Sequence, residues 1–247
     1  MSRRKKSHQS AGPAHRPRLW GRHAVSAALD NPERKLLRAW ATRDAAAFMQ
    51  FPKHVAVTLA EAPDLCRLVP PDAPHQGVVI EVEPLDDVWL DGLLTGAPER
   101  AVLLVLDQVT DPHNVGAILR SAAAFGAVGI VTQDRHSPPE SGVVAKAASG
   151  ALERVPWARV VNLARALEEI AEAGFWRIGL AGDADTELKE ALGPNRVALV
   201  LGAEGAGLRP NTREHCDALA RLPISDVVDS LNVSNAAAVA LYAASSN

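Results

Sequence analysis

The hydrophobic pattern changes character near residue 100. From Ala101 to Leu106 every position is apolar, as in a strand buried on both faces of a parallel sheet. Asp111-Pro112 follows, a good N-cap and a good first helical residue. The helix this predicts runs through Ala124 to a C′ residue at Gly126. Further strands are expected over 128–132, 177–181 and 197–201, with 155–160 and 218–222 extended. Helices are expected over 141–148, 163–173 and 236–244. Strands alternating with helices predict an α/β domain whose parallel sheet is covered on both faces.

Upstream the periods are shorter. Residues 24–29 read as a helix ended by Asn31-Pro32, and 35–41 as a strand. A helical run from Asp44 through Phe48 must stop before Pro52. Val55-Ala56-Val57 is a candidate strand and 77–80 a better one. Pro84, Gly92, Gly96 and Pro98, with acids between them, mark a linker over 85–100. The expected organisation is a basic, disordered tail over 1–18, a small α/β domain over 19–84, the linker, and a larger α/β domain over 101–247.

Composition narrows the class. Hydrophobic residues at 47% and charged residues at 22% are a globular balance. No apolar run reaches the roughly 18 residues of a membrane span, so no membrane partner is expected. The basic N-terminus has no apolar stretch behind it and is no secretory signal, although Arg, Ser and Ala without acids also suit a mitochondrial transit peptide. Cys66 and Cys216 lack a CxxC arrangement, so neither a disulfide framework nor a metal site is expected, and a reducing cytoplasm is the simplest compartment. The net charge is −3, which by itself does not point to a nucleic-acid partner. Its distribution alters that: residues 1–22 hold seven basic residues and no acid, leaving −10 for the rest. Such a tail suits phosphate binding by counterion release, or simple solubilisation.

Three loops carry the candidate chemistry, each after an apolar strand, where open α/β sheets bind ligands. In the first, Asn114 precedes Gly116 and Arg120, which are four apart and share a helix face. Glycine admits a close backbone, and a guanidinium beside it pairs well with phosphate. The neighbouring His113 has acid–base potential but reads as an ordinary loop histidine. The second loop, Leu201-Gly202-Ala203-Glu204-Gly205-Ala206-Gly207-Leu208, has three glycines in six positions, implying special backbone angles or close ligand approach. It is neither a P-loop nor the dinucleotide fingerprint. The third joins Leu222-Pro223-Ile224 to Asp229-Ser230-Leu231-Asn232-Val233-Ser234 at the mouth of the last helix. Taken singly, these loops need be no more than a cap, a turn and another cap.

Together, Asn114-x-Gly116-x₃-Arg120, Leu201-Gly202-x-Glu204-x₂-Gly207-Leu208 and Pro223-x₈-Asn232-Val233-Ser234 resemble the three motifs of the SpoU branch of the SPOUT RNA methyltransferases, over about residues 100–245. Lys146-Ala147-Ala148-Ser149-Gly150-Ala151 resembles the segment between the first two motifs. Trp20-Gly21-Arg22-His23-Ala24-Val25 and His75-Gln76-Gly77-Val78 resemble the L30e-like substrate-binding domain that accompanies them in the large-subunit rRNA guanosine-2′-O-methyltransferases.

The resemblance implies a deep trefoil knot, a homodimer with the active site across its interface, and S-adenosylmethionine (AdoMet) as co-substrate. It places Arg120, Asn114, Glu204, Ser230 and Asn232 in the catalytic site, and Gly202, Leu222, Ile224, Leu231 and Ser234 around AdoMet. No metal is implied. The implied substrate is a ribose 2′-hydroxyl of RNA, rRNA first and tRNA as the alternative. A non-catalytic RNA binder on the same fold is a rival reading, which AdoMet binding would separate. A nucleotide-binding oxidoreductase is another, and it lacks its fingerprint. Where relatives carry Met-x-Gly after the proline of the third motif, this chain has Ile224-Ser225-Asp226.

Overall fold

A computed structural model describes residues 16–225 and 227–246. The tail over 1–15 and Asp226 lie outside the described residues. The elements are β1 (Arg18–Trp20), α1 (Arg22–Asp30), β2 (Leu36–Ala41), α2 (Arg43–Phe48), β3 (Val57–Leu59), α3 (Ala62–Cys66), β4 (Val78–Val82), α4 (Leu90–Thr95), β5 (Ala101–Leu106), α5 (Pro112–Ala124), β6 (Gly129–Gln133), α6 (Gly142–Ala148), β7 (Trp157–Val160), α7 (Leu163–Glu172), β8 (Trp176–Leu180), α8 (Leu188–Ala191), β9 (Arg196–Leu201), α9 (Pro210–Glu214), β10 (Ala218–Ala220) and α10 (Val233–Ser245). β1 to β4 form a mixed sheet in the order β1-β4-β2-β3. β5 to β10 form a parallel sheet in the order β10-β8-β9-β5-β6-β7.

The parallel sheet is the α/β domain the second half predicts. β5 lies inside it, between β9 and β6, which is why all six of its residues are apolar. Leu104 and Leu106 face the core shared with α5, α6 and α10, whereas Leu103 and Val105 face α4 and α7. Asp111 caps α5 by accepting from His113 N at 2.9 Å, and Gly126 takes the positive φ of 69° expected of it.

Several expectations need correction. The stretch read as a linker carries α4, whose Leu90, Leu93 and Leu94 are buried in the core with Leu167 and Ile170. Gly92, Gly96 and Pro98 hid a short apolar face with i, i+3, i+4 spacing. Arg18, placed in the tail by the sequence, is already in β1 and pairs with Glu81 of β4. The strand expected at Val55 lies at Val57–Leu59 instead. The short helices α3, α8 and α9 carry too few turns to show a period.

The two sheets share one core. Leu19, Val25, Ala28 and Ile80 belong to the same buried cluster as Val115, Val144 and Ala148 of α5 and α6. A Cβ at Gly142 would overlap the Trp20 ring and the Arg18 carbonyl, so β1 sits directly on the start of α6. Arg34, its side chain fully buried, spans the same junction. Its Nε and Nη2 donate to the two oxygens of Glu153 at 3.0 and 2.7 Å, and its Nη1 donates to Glu140 and to the Glu83 carbonyl. Asn31 Nδ2 also donates to Glu153, and Leu85 N to Glu140.

At the far edge, β10 is clamped to β8 by Arg177 and Asp217. Arg177 N, Nε and Nη2 all donate to the Asp217 carboxylate, at 2.8, 2.8 and 2.6 Å. These bonds hold the Asp217 carboxyl below its ordinary value. A depressed folded pKa contributes stability that is present above about pH 4, the unfolded value, and lost as pH falls through the folded one. Asp217→Asn is therefore expected to melt lower than the parent at pH 7, with the two curves converging in acid; calorimetric Tm against pH reads this. Burial pushes the adjacent Cys216 thiol up to about 12, so it stays protonated and unreactive.

Candidate active site

The carboxyl ends of β8 and β9 and the chain after β10 enclose a cavity of about 290 Å³. β8 supplies Leu180, followed by Ala181 and Gly182. β9 supplies Leu201, followed by Gly202, Ala203, Glu204, Gly205 and Gly207. Leu222, Ile224, Asp229, Ser230 and Leu231 close it from the segment after β10, with Val233 and Ala236 from the first turns of α10. Parallel strands end in a row, and their exposed carboxyl ends with the following loops leave a crevice there.

The glycine loop doubles back on itself. Gly207 N donates to Ala203 O at 2.9 Å, and Gly205 and Gly207 take positive φ of 80° and 67°. A Cβ at Gly202 would overlap the Gly207 carbonyl and the Leu208 amide, so this position admits only glycine without opening the turn. The turn is tied down behind by a buried carboxylate. Asp107, at the end of β5, accepts from Arg209 N at 3.1 Å and Arg209 Nε at 2.7 Å. Arg209 Nη2 reaches Gln133 Oε1 at 3.2 Å. β5, β6 and the glycine loop are thus held in register at their ligand-binding ends.

Asn232 caps α10. Its Oδ1 accepts from Ser234 N at 2.9 Å and from Ser234 Oγ at 2.6 Å. On α5, Asn114 is buried, and Gly116 lets α6 approach. A Cβ there would lie 2.5 Å from Ala147 Cβ and 2.6 Å from Val144 O. Arg120, one turn on, is exposed, with no ion pair among the described residues.

The structure therefore gathers Gly202, Glu204, Leu222, Ile224, Ser230 and Leu231 around one cavity. It leaves Asn114, Arg120, Asn232 and Ser234 off its wall, the Ser234 hydroxyl being engaged by Asn232. Sequence reasoning missed Leu180, Ala181 and Gly182, and the Asp107–Arg209 brace; it placed Asp229 in the third loop without giving it a role. An acid directly after a buried strand was the available signal for the brace. Nothing local announces that β8 lies beside β9.

Comparison with known proteins places this arrangement. Residues 101–242 match the SpoU rRNA Methylase family, and residues 18–88 match the RNA 2′-O ribose methyltransferase substrate-binding family. The chain is 39% identical to the 23S rRNA (guanosine-2′-O-)-methyltransferase RlmB of Pseudomonas putida, covering 92% of this chain and 95% of that one. It is 41% identical to an uncharacterised tRNA/rRNA methyltransferase of Synechocystis, covering 91% of this chain but 61% of the longer relative. The SpoU methyltransferase AviRb of Streptomyces viridochromogenes, solved with the cofactor AdoMet, superposes with a TM-score of 0.75 at 25% identity, covering 94% of this chain and 89% of that one. With the three motif loops brought to the ends of one parallel sheet and both parts of the chain matched, this protein belongs to the SpoU methylase family.

Proposed function

We propose that this protein transfers a methyl group from AdoMet to a ribose 2′-hydroxyl of RNA, with a guanosine of 23S rRNA as the substrate. The observation that carries the reading is the glycine-walled cavity at the ends of β8 and β9, built from the second and third motif loops. The substrate follows from the full-length similarity to RlmB of Pseudomonas putida and the matched substrate-binding part. In this reading, 19–84 binds RNA and 101–247 carries the transfer, in the cytoplasm.

The cavity suits AdoMet chemically. Leu180, Leu201, Leu222 and Leu231 offer apolar walls for a purine ring. Backbone around Gly182, Gly202 and Gly205 offers close hydrogen-bonding edges, and Asp229 and Glu204 bring negative charge to the rim. Bound AdoMet supplies a methyl group already activated by its sulfonium charge. Arg120 pairs with the RNA phosphate through its planar guanidinium and stabilises negative charge developing on the ribose oxygen. Asn114 and Glu204 orient that arginine and the motif loops, and Ser230 and Asn232 shape the opposite wall. Holding the reacting atoms in line lowers the barrier further.

Arg120 lies outside its own chain's cavity, which supports a homodimer whose site is shared across the interface. The exposed Val239 and Tyr242 of α10 and the exposed Val227 offer apolar surface for it. The trefoil knot belongs to the same reading. Mixing Arg120→Ala chains with Gly202→Ala chains, at AdoMet too dilute to saturate the second, is expected to raise transfer well above the sum of the two alone; a merely additive rate would argue for a site within one chain. Gly202→Ala by itself is expected to weaken AdoMet binding at least about tenfold in calorimetry, about 1.4 kcal/mol, because the added methyl opens the turn.

The test of the function is labelled methyl transfer to total RNA from a strain lacking the gene, followed by mass spectrometry of the labelled fragment. A 2′-O-methylguanosine in a 23S fragment is expected. A labelled tRNA fragment would move the substrate, and a methyl on a base would sink the reading.

A further inference from the structure

One exposed cluster at the junction of the two parts is not used by the reaction as described. Phe48, the last residue of α2, is 76% exposed, whereas Phe51, Phe125 and Phe175 are half-buried or buried. The Arg22 guanidinium sits 5.8 Å from the Phe48 ring centroid. The Arg22 backbone N–H donates to Gln76 Oε1 at 3.0 Å, and Lys146 Nζ donates to the same oxygen at 2.9 Å. Two donors on one oxygen fix the amide's orientation, so Gln76 Nε2 is the donor end. Gln76 holds this pose at φ 56°, a left-handed conformation that non-glycine residues adopt at a cost. Lys146 comes from α6, the helix packed on Gly116 of α5, so the cluster is braced against the helix pair that carries Arg120.

An exposed ring beside a guanidinium, an oriented amide donor and an ammonium are the groups that hold a nucleotide outside a duplex. The ring stacks on a base, the cations meet phosphate, and the amide reads a carbonyl or ring-nitrogen acceptor. We propose that Phe48, Arg22, Gln76 and Lys146 bind one unpaired nucleotide of the RNA substrate, Phe48 stacking on its base. This rests on the RNA methyltransferase reading and adds to it a recognition point distinct from the methyl-accepting ribose. It also gives a role to Arg22, Gln76 and Lys146, which touch no wall of the cavity.

Two measurements on the full chain test it. The first is fluorescence anisotropy with a labelled single-stranded adenosine dodecamer and a blunt RNA duplex of equal length. The second is the KM for total RNA in the transfer assay. Wild type is expected to bind the single strand more tightly than the duplex. Phe48→Ala is expected to weaken dodecamer binding about tenfold and raise the RNA KM comparably, with kcat and AdoMet affinity little changed, whereas Phe48→Tyr keeps the ring and the affinity. Equal dodecamer affinity for wild type and Phe48→Ala would overturn the proposal, as would a Phe48→Tyr variant as weak as Phe48→Ala. A wild-type chain that binds the dodecamer through Phe48 but methylates no RNA would overturn the enzymatic reading and leave the stacking site standing.

Discussion

Arg120→Ala is expected to cut methyl transfer to RNA by about 100-fold or more, the usual loss when one preorganised electrostatic donor is removed. AdoMet affinity should hold, because Arg120 is not on the cavity wall. Stability should also hold to within about 0.5 kcal/mol, because the side chain is exposed and no buried partner is stranded. Single-turnover transfer rates, calorimetric AdoMet titration and Tm separate the three effects. A fall in transfer accompanied by an equal loss of AdoMet binding would place Arg120 in cofactor binding instead. Arg120→Lys divides the remaining roles. A phosphate clamp needs the planar, bidentate guanidinium fork, so lysine should restore little at any pH. Full turnover by Arg120→Lys at high pH would establish a base and remove the clamp.

How much of this was legible in the sequence depended on the range of the forces involved. β5 and, from Val197, β9 are continuous apolar runs because both faces are covered, and α5 announces itself with Asp111-Pro112 at one end and Gly126 at the other. These are local signals, and they match the elements closely. The glycine loop was readable as special backbone, but not as a turn whose Gly202 abuts its own Gly207 carbonyl. α4 was lost because Gly92 and Gly96 read as breakers, while tertiary burial of Leu90, Leu93 and Leu94 decides the outcome. The cavity needs the order β10-β8-β9, which sets Ala181-Gly182 beside Gly202, and no periodicity encodes strand order. The Arg22–Gln76 and Gln76–Lys146 contacts join segments 54 and 70 residues apart and were visible only as separate stretches of familiar sequence.

Arg34→Ala is expected to be the most destabilising of these substitutions, by about 3–5 kcal/mol, because it strands two carboxylates at a buried junction. For a chain of this length that is a Tm lower by roughly 6–20 °C. Burial alone would lower the Arg34 pKa, but the hydrogen bonds and charges of Glu153 and Glu140 outweigh it and raise the value. A raised folded pKa gives stability that is complete below the ordinary arginine value, so the brace stays intact at every physiological pH. The size of the loss does not mean the ion cluster is a large net stabiliser, since desolvating the three groups offsets much of their attraction. What the cluster supplies is position: Arg34 lies in the connection from α1 into β2 of the first sheet, and Glu140 and Glu153 flank α6. Replacing Arg34, Glu140 and Glu153 together by Met, Leu and Met is therefore expected to recover part of the lost Tm, the rest being withheld because Leu85 N and Asn31 Nδ2 lose their acceptors. If the cluster sets how the first sheet meets α6, the triple variant will still show a raised RNA KM at normal AdoMet affinity. Full recovery of both Tm and KM would reduce the cluster to packing volume, whereas an Arg34→Ala Tm within about 2 °C of the parent would mean that the carboxylates find water once the arginine is gone.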